Sequence, residues 1–216
     1  MTWPLGAVAA VLVGYLVGAI PVGLLIGRLT RGIDLREHGS RRTGTTNALR
    51  TLGPRAAALV FVLDIAKGVV AVLAARAILA AGPPGSLHWV AAAAGTAAVA
   101  GHIWSVFIRM TGGRGVATSA GALGAMSPLG LGILVPVVGL VVWRSRYVSL
   151  GSVIGAVTAP IITTVLAIFG LAPWAATGYA VAAGGLVVWA HADNIQRLRS
   201  GTERRLGQRT EADAHG

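Results

Sequence analysis

A chain of 216 residues that is 55% hydrophobic, only 12% charged and has a mean hydropathy of +0.73 is too apolar for a soluble domain of this length, and reads as an all-α integral membrane protein. The net charge of +11 would suit nucleic acid in a soluble protein, but here the basic residues gather in connections and tail as topology determinants, so nucleic acid is discounted as a partner. The absence of cysteine excludes thiol nucleophiles, disulfides and cysteine-based metal sites; with neither an H-E-x-x-H motif nor a G-x-S-x-G elbow, no metal or cofactor is expected.

A spanning helix needs about 20 apolar residues, and Trp3 to Ile26 supplies the first. No basic n-region precedes it and no clear cleavage site ends it, so it is expected to be a retained helix. Gly14 with Gly18, and Gly23 with Gly27, recur at small-xxx-small spacing, which close helix packing explains. Arg28, Arg31, Arg36, Arg41, Arg42 and Arg50 follow, so the positive-inside rule places residues 28 to 54 in the cytoplasm and the N-terminus outside. Within this connection Ser40 to Arg50 (SRRTGTTNALR) gathers Ser40, Thr43, Thr45, Thr46 and Asn47 among arginines. Hydroxyls and an amide can bond phosphate while guanidinium groups neutralise it. A helix cap at Thr46 or Asn47, with topological arginines, is the plainer alternative.

Ala56 to Ala81 is the second expected span. Asp64 and Lys67 lie three apart on one face of it, followed by Gly68, and either charge alone in hydrocarbon is costly, so they are expected to pair or to face a polar cavity. The uncharged run Gly82, Pro83, Pro84, Gly85 fits the outer face. Trp89 to Ile108 then returns inward, with His88 beside Trp89 as an interfacial anchor and His102 near the inner end. Gly112 to Thr118 (GGRGVAT) precedes the next helix. Its glycines permit close backbone approach to an anion, outward amides open the helix, and Arg114 adds a fork that fits phosphate. A tight turn is the alternative for this loop alone, and it is not a Walker A sequence.

Val116 to Trp143 is interrupted by the turn signal Met126 to Gly130. A single crossing would leave Arg144, Arg146 and the basic tail outside, so two short helices folded at Pro128 are expected. Val148 to Phe169 and Trp174 to Ala190 complete the series. Ser149 and Ser152 share a face, Gly151 and Gly155 repeat the packing pattern, and His191 shares a face with Asn194 one turn on. The expectation is seven transmembrane helical segments, two of them short, with the N-terminus outside and the C-terminus cytoplasmic. Residues 1–201 form one domain and 202–216 a polar tail. All three polar clusters then face the cytoplasm, beside the bilayer, as the parts of one site for a phosphorylated substrate.

Taken together, these motifs resemble the bacterial membrane acyl-phosphate:glycerol-3-phosphate acyltransferase family (PlsY-type) over nearly the whole chain. The resemblance rests on Gly18 to Gly23, Gly39 and Ser40 with Gly44 to Asn47, Asp64 with Lys67 and Gly68, Gly101 with His102, Gly112 to Thr118, and His191, Asn194, Ile195, Arg197, Leu198, Gly201, Thr202 and Glu203. It implies a seven-helix enzyme of the bacterial cytoplasmic membrane, multi-pass, with its active site facing the cytoplasm. The implied reaction moves a fatty acyl group from acyl phosphate to the sn-1 hydroxyl of glycerol 3-phosphate, giving lysophosphatidic acid and phosphate, the first committed step of phospholipid synthesis. Implied partners are acyl phosphate, glycerol 3-phosphate and membrane lipid, with the oligomeric state left open.

By the same resemblance His191, Asn194 and Ser40 stand at the reacting centre. Thr45, Thr46, Asn47, Arg50, Lys67, Gly112, Gly113, Arg114, Gly115 and Ser149 would bind substrate, and Asp64, Gly68, His102 and Glu203 would support the site. Two departures stand out. After Ser40 the family commonly has Gly-Asn-Pro where this chain has Arg41, Arg42 and Thr43, and Arg114 occupies a position where lysine is common. The rival readings are a non-catalytic paralogue and a phosphate-ester or lipid transporter; against the latter stands the lack of repeated halves.

Overall fold

The computed structural model describes residues 2–79, 83 and 85–208, and every regular element among them is helical. The far end of the expected second span, Gly82 and Pro84 of the expected outer loop and the tail from Arg209 lie outside the described residues.

The first expected span is two helices, α1 (Trp3–Ala19) and α2 (Val22–Arg31), broken at Ile20 and Pro21. Proline supplies no N–H and its ring crowds the preceding turn. The carbonyls freed at the break find partners on neighbouring elements: Ala19 accepts from the Ser105 hydroxyl, and Ile20 accepts from Lys67 Nζ at 3.0 Å. A broken helix at membrane depth stands only when its loose backbone groups are satisfied in this way. The chain leaves α2 through Gly32 in the left-handed conformation, φ +66°, an end that glycine adopts without strain.

The order continues with α3 (Thr45–Thr51), α4 (Pro54–Ile78), α5 (Ser86–Ile103), α6 (Val116–Met126), α7 (Pro128–Ser145), α8 (Val148–Ile168), α9 (Trp174–Ala190) and α10 (Ala192–Arg199). The pair α1–α2 taken as one span, and α4, α7 and α8, are each long and apolar enough to cross a membrane. A fifth candidate is α9 with α10, bent by 60° at His191. The turn at Met126 to Gly130 falls where expected, and Ser127 caps α7 by accepting from Gly130 N. Of the two helices expected to be short, only α6 is, at 11 residues; α7 runs for 18, because its apolar sequence continues through Pro136 to Trp143.

Small residues let the backbones meet. Gly14 and Gly18 of α1 lie on the Ala94 and Ala98 backbone of α5, and Gly101 answers against Tyr15 and Ala19. Gly68 of α4 sits on the Thr118 carbonyl of α6, while Gly121 sits on that of Ile65, leaving no room for a Cβ at either position. Gly23 and Gly27 instead admit the connection after α2, against Thr43, Ile33 and Leu35. Gly151 and Gly155 pack beside Val142 and Val138 of α7. The main core gathers around α5 and α9 from Val99, Ile103, Tyr179 and Val187, and a second cluster of Ile26, Leu35, Ala48 and Val60 seats the connection between α2 and α4.

The α4–α6 contact positions the site, since α4 carries Asp64 and α6 begins at the glycine-rich loop. Gly68→Val is expected to force the pair apart at a cost of about 1–3 kcal/mol, read as a lower thermal midpoint in detergent. Gly185→Ala, where a Cβ meets open space, is the matched control. Equal midpoints for the two variants would contradict the close approach.

Candidate active site

The first cluster is organised by Asn47, which is 2% exposed. Its Nδ2 donates to the carbonyls of Leu35 (3.0 Å), His38 (3.1 Å) and Arg42 (2.8 Å), and its Oδ1 accepts from Ser40 N at 2.9 Å. The amide is therefore spent on folding the loop that presents Ser40, Arg42 and Thr45. Gly39 is required here twice over, by φ +59° and because a Cβ would strike Asn47 Oδ1. Arg41 follows at φ +57°, a conformation that L side chains adopt at a cost of about 1–2 kcal/mol. At the loop's start the Asp34 carboxylate is held down to about 2, mainly by its hydrogen bonds from Arg36.

In the second cluster, Gly112 and Gly113 wrap the end of α5. Gly113 N donates to the His102 carbonyl at 3.1 Å, and side chains at either glycine would collide with His102 or Ile103. Gly115, φ +78°, opens α6 without a side-chain cap. Arg114 spans to the third cluster, donating to Asp193 at 2.9 Å and to the Ala190 carbonyl at 3.3 Å.

The third cluster turns on His191, one residue past the end of α9. Its Nδ1 lies 2.8 Å from the Val187 carbonyl. A carbonyl only accepts, so Nδ1 carries the proton and Nε2 is the basic nitrogen. Trp104 and Trp189 hold the ends of α5 and α9 together, their ring centroids 4.9 Å apart. Glu203 then gathers Asn194 (2.7 Å) and Ser149 (2.8 Å) on Oε1 and Arg197 (2.8 Å) on Oε2. The segment carrying it is latched over the α7–α8 connection: Leu206 N donates to the Arg146 carbonyl at 2.7 Å, Arg146 Nη2 returns a bond to the Leu206 carbonyl at 3.0 Å, and the Arg205 guanidinium lies over Tyr147. Residues 202–208, part of the expected polar tail, are thus docked, because their backbone and Glu203 find partners that sequence spacing does not display.

Asp64, Lys67 and His102 form a buried group between the clusters. The Lys67 ammonium lies 2.8 Å from Asp64 Oδ1 and 3.0 Å from His102 Nδ1. Because ammonium only donates, His102 Nδ1 accepts and Nε2 bears the ring proton. Thr118 Oγ1 stands 3.3 Å from the same nitrogen, tying α6 to the group.

The three clusters converge on one cavity of about 470 Å³. Ser40, Thr45, Thr46, Asn47, Arg50, Gly113, Arg114, Gly115, Ser149, His191 and Asn194 line it, together with Asp64, His102 and Glu203. Lys67, Gly112 and Gly68 do not line it: Lys67 lies in the buried group, Gly112 packs on carbonyls, and Gly68 serves the α4–α6 contact. Sequence reasoning did not assign Arg42, Asp193, Arg197 or Arg204 to the lining. Among the described residues, buried polar atoms left without a partner include Thr45 Oγ1 and Asn194 Oδ1, both on lining side chains. Such orphans are costly unless a ligand or water meets them. An apolar groove of about 390 Å³ between α4, α6, α7, α8 and α9 continues from the cavity, sharing Phe61, Val116, Ala117 and Ser152.

Burial works against the charges of Glu203 and Asp193, but it is overcome at Glu203 by hydrogen bonds from Asn194, Ser149 and Arg197, and at Asp193 by Arg114 and Arg197, so both carboxyls fall below their ordinary values. Burial also pushes His191 from 6.5 down to about 4. Each of these groups binds a proton more readily in the unfolded chain. Their stability contribution is complete above the unfolded values and is lost as pH falls through the folded ones. The thermal midpoint is expected to hold near neutrality and to decline between about pH 6.5 and 4, with His191 accounting for about 3 kcal/mol at most. A midpoint flat across that interval would contradict the assignment.

The match to known proteins covers the same regions. Residues 8–201 fit the family model "Glycerol-3-phosphate acyltransferase". A glycerol-3-phosphate acyltransferase of Synechococcus elongatus is 43% identical over 211 residues, 95% of this chain and 97% of the relative. One of Thermus thermophilus is 44% identical over 208 residues, 95% and 98% of the two chains. The crystal structure of PlsY (YgiH), an integral membrane glycerol 3-phosphate acyltransferase, in its glycerol 3-phosphate form superposes with a TM-score of 0.82 at 36% identity, over 93% of this chain and 96% of that one. Its lysophosphatidic acid form gives 0.79 at the same identity, over 93% and 95%. With a fold and a sequence that agree along almost its entire length, the chain belongs to the glycerol-3-phosphate acyltransferase family.

Proposed function

We propose that this protein transfers a fatty acyl group from acyl phosphate to the sn-1 hydroxyl of glycerol 3-phosphate. The observation that carries the reading is the continuity of an arginine-rich polar cavity with an apolar groove, which seats phosphate groups and an alkyl chain side by side. Family membership supports the same acceptor.

Acyl phosphate is already activated, so the protein's task is positioning and charge stabilisation rather than supply of a nucleophile. Arg50 and Arg114 hold phosphate oxygens, with Ser40, Thr45 and Thr46 adding hydroxyl bonds. Asn47 and Lys67 contribute at one remove, through the loop and the buried group. The neutral Nε2 of His191 accepts from the glycerol hydroxyl and orients it, Asn194 Oδ1 takes a further donor, and Ser149 is fixed by Glu203. The hydroxyl oxygen forms the new bond to the acyl carbon, the bond from that carbon to the phosphate oxygen breaks, and the hydroxyl proton leaves on the released phosphate. No acyl-enzyme forms.

Residues 1–201 act as one membrane domain with seven helical segments, α6 the shortest, in the bacterial cytoplasmic membrane. The N-terminus is outside, and the cavity and C-terminus are cytoplasmic, because Arg28 to Arg50, Arg114 and Arg197 to Arg205 share one face. The natural lack of cysteine makes this directly testable. Single cysteines at Thr2 and Gln208 are expected to be labelled from outside and protected, respectively, in sealed right-side-out vesicles; the reverse pattern would sink the orientation.

The reading itself is tested by incubating purified protein with palmitoyl phosphate and labelled glycerol 3-phosphate. Labelled lysophosphatidic acid with an unmodified intact mass is expected. Binding without turnover would favour a non-catalytic paralogue, and a stable acylated Ser40 would defeat direct transfer.

A further inference from the structure

The cavity is lined by six arginines and three carboxylates. The carboxylates are already committed: Asp64 to Lys67 at 2.8 Å, Asp193 to Arg114 and Arg197 at 2.9 and 3.3 Å, and Glu203 to Arg197 at 2.8 Å. Among the described residues, the guanidinium groups of Arg41, Arg42, Arg50 and Arg204 meet neither a carboxylate nor a hydrogen-bond acceptor. Phosphate groups carry close to two negative charges each at neutral pH, so the uncompensated charge matches a pair of phosphorylated substrates.

Arg42 is the most informative of the four. Its position is built rather than incidental: Asn47 holds its carbonyl at 2.8 Å, the turn at Arg41 (φ +57°) precedes it, and the residue is half-buried. A guanidinium needed only for topology has no reason to line the cavity. The Arg42 charge also reaches Arg114, where it adds to burial in opposing that residue's charge. Two arginines repelling each other within one cavity, only one of them with a carboxylate, form a site that an anion completes.

We infer that Arg42 is a substrate-binding residue of this chain, donating to the phosphate group of one of the two substrates across the cavity from Arg114. This rests on the acyltransferase reading for the identity of the ligands. Phosphate is common to donor and acceptor, and the kinetic arms distinguish them.

The test compares wild type with Arg42→Asn and Arg42→Lys. The Asn47 bond goes to the backbone of residue 42, so both variants keep it and are expected to match the wild-type thermal midpoint. A lost charge-assisted bond corresponds to roughly a 10- to 100-fold effect. Arg42→Asn is therefore expected to raise the KM of one substrate about tenfold or more, with kcat little changed, and Arg42→Lys to recover part of the loss. A rise confined to glycerol 3-phosphate places Arg42 on the acceptor; one confined to palmitoyl phosphate places it on the donor. Unchanged KM for both substrates, whatever happens to kcat, overturns the inference. Calorimetry with inorganic phosphate needs no turnover and separates the two readings. Phosphate binding weakened tenfold in Arg42→Asn sustains the role of Arg42 even if acyl transfer is absent, and equal binding in the two proteins overturns it.

Discussion

Asp64→Ala is expected to lose about 3–5 kcal/mol of stability, because removing one partner of a buried pair strands the other charge. Both side chains are almost wholly buried, at 6% exposure for Lys67 and 2% for Asp64. The Lys67 ammonium would keep only the Ile20 carbonyl and His102 Nδ1, which share its positive charge without neutralising it. Replacing the pair together, as Asp64→Leu with Lys67→Met, removes the stranded charge and is expected to recover most of the loss. It should still fall short of wild type by about 1–3 kcal/mol, the worth of the charge-assisted bond from Lys67 to the Ile20 carbonyl, which then keeps only Val22 N at the α1–α2 break. Thermal or denaturant unfolding in detergent reads all three proteins. A single variant as stable as wild type would show that the pair does not carry the charge balance of the interior.

Arg50→Ala is expected to lower kcat/KM by about 10²–10³ while leaving the thermal midpoint unchanged or slightly raised. Arg50 lines the cavity without a hydrogen bond or ion pair to the described residues, so its removal breaks neither within the folded chain. Burial and the neighbouring Arg204 oppose its charge, and Glu203 supports it only in part. That balance suits a residue whose counter-charge arrives with the substrate. Arg114 differs, since Asp193 and the Ala190 carbonyl already hold it, and its loss would also loosen the join between the second and third clusters. Activity of Arg50→Ala within about threefold of wild type, under the same expectation, would remove it from the site.

Much of this arrangement was legible because it depends on residue type and period. Gly14 and Gly18 announce a helix contact, Asp64 and Lys67 announce a pair, and charge asymmetry groups the three polar clusters on one face. The break at Pro21 was hidden because its cost is met by Lys67 and Ser105, residues 46 or more positions away in sequence. Asn47 read as a ligand for phosphate because its side chain can serve either use; only the fold shows that its amide is consumed by Leu35, His38, Ser40 and Arg42. Arg204 was missed for the opposite reason. A basic tail resembles any solvated terminus until Leu206 and Arg146 are seen to latch it across the site.

The central claim is that the three clusters form one site that couples the two substrates. Its most direct test follows phosphate release from palmitoyl phosphate by the purified protein, with and without glycerol 3-phosphate. Release that depends on glycerol 3-phosphate and matches lysophosphatidic acid mole for mole is the predicted result. Equal phosphate release in its absence, or none in its presence from folded protein, would contradict the account.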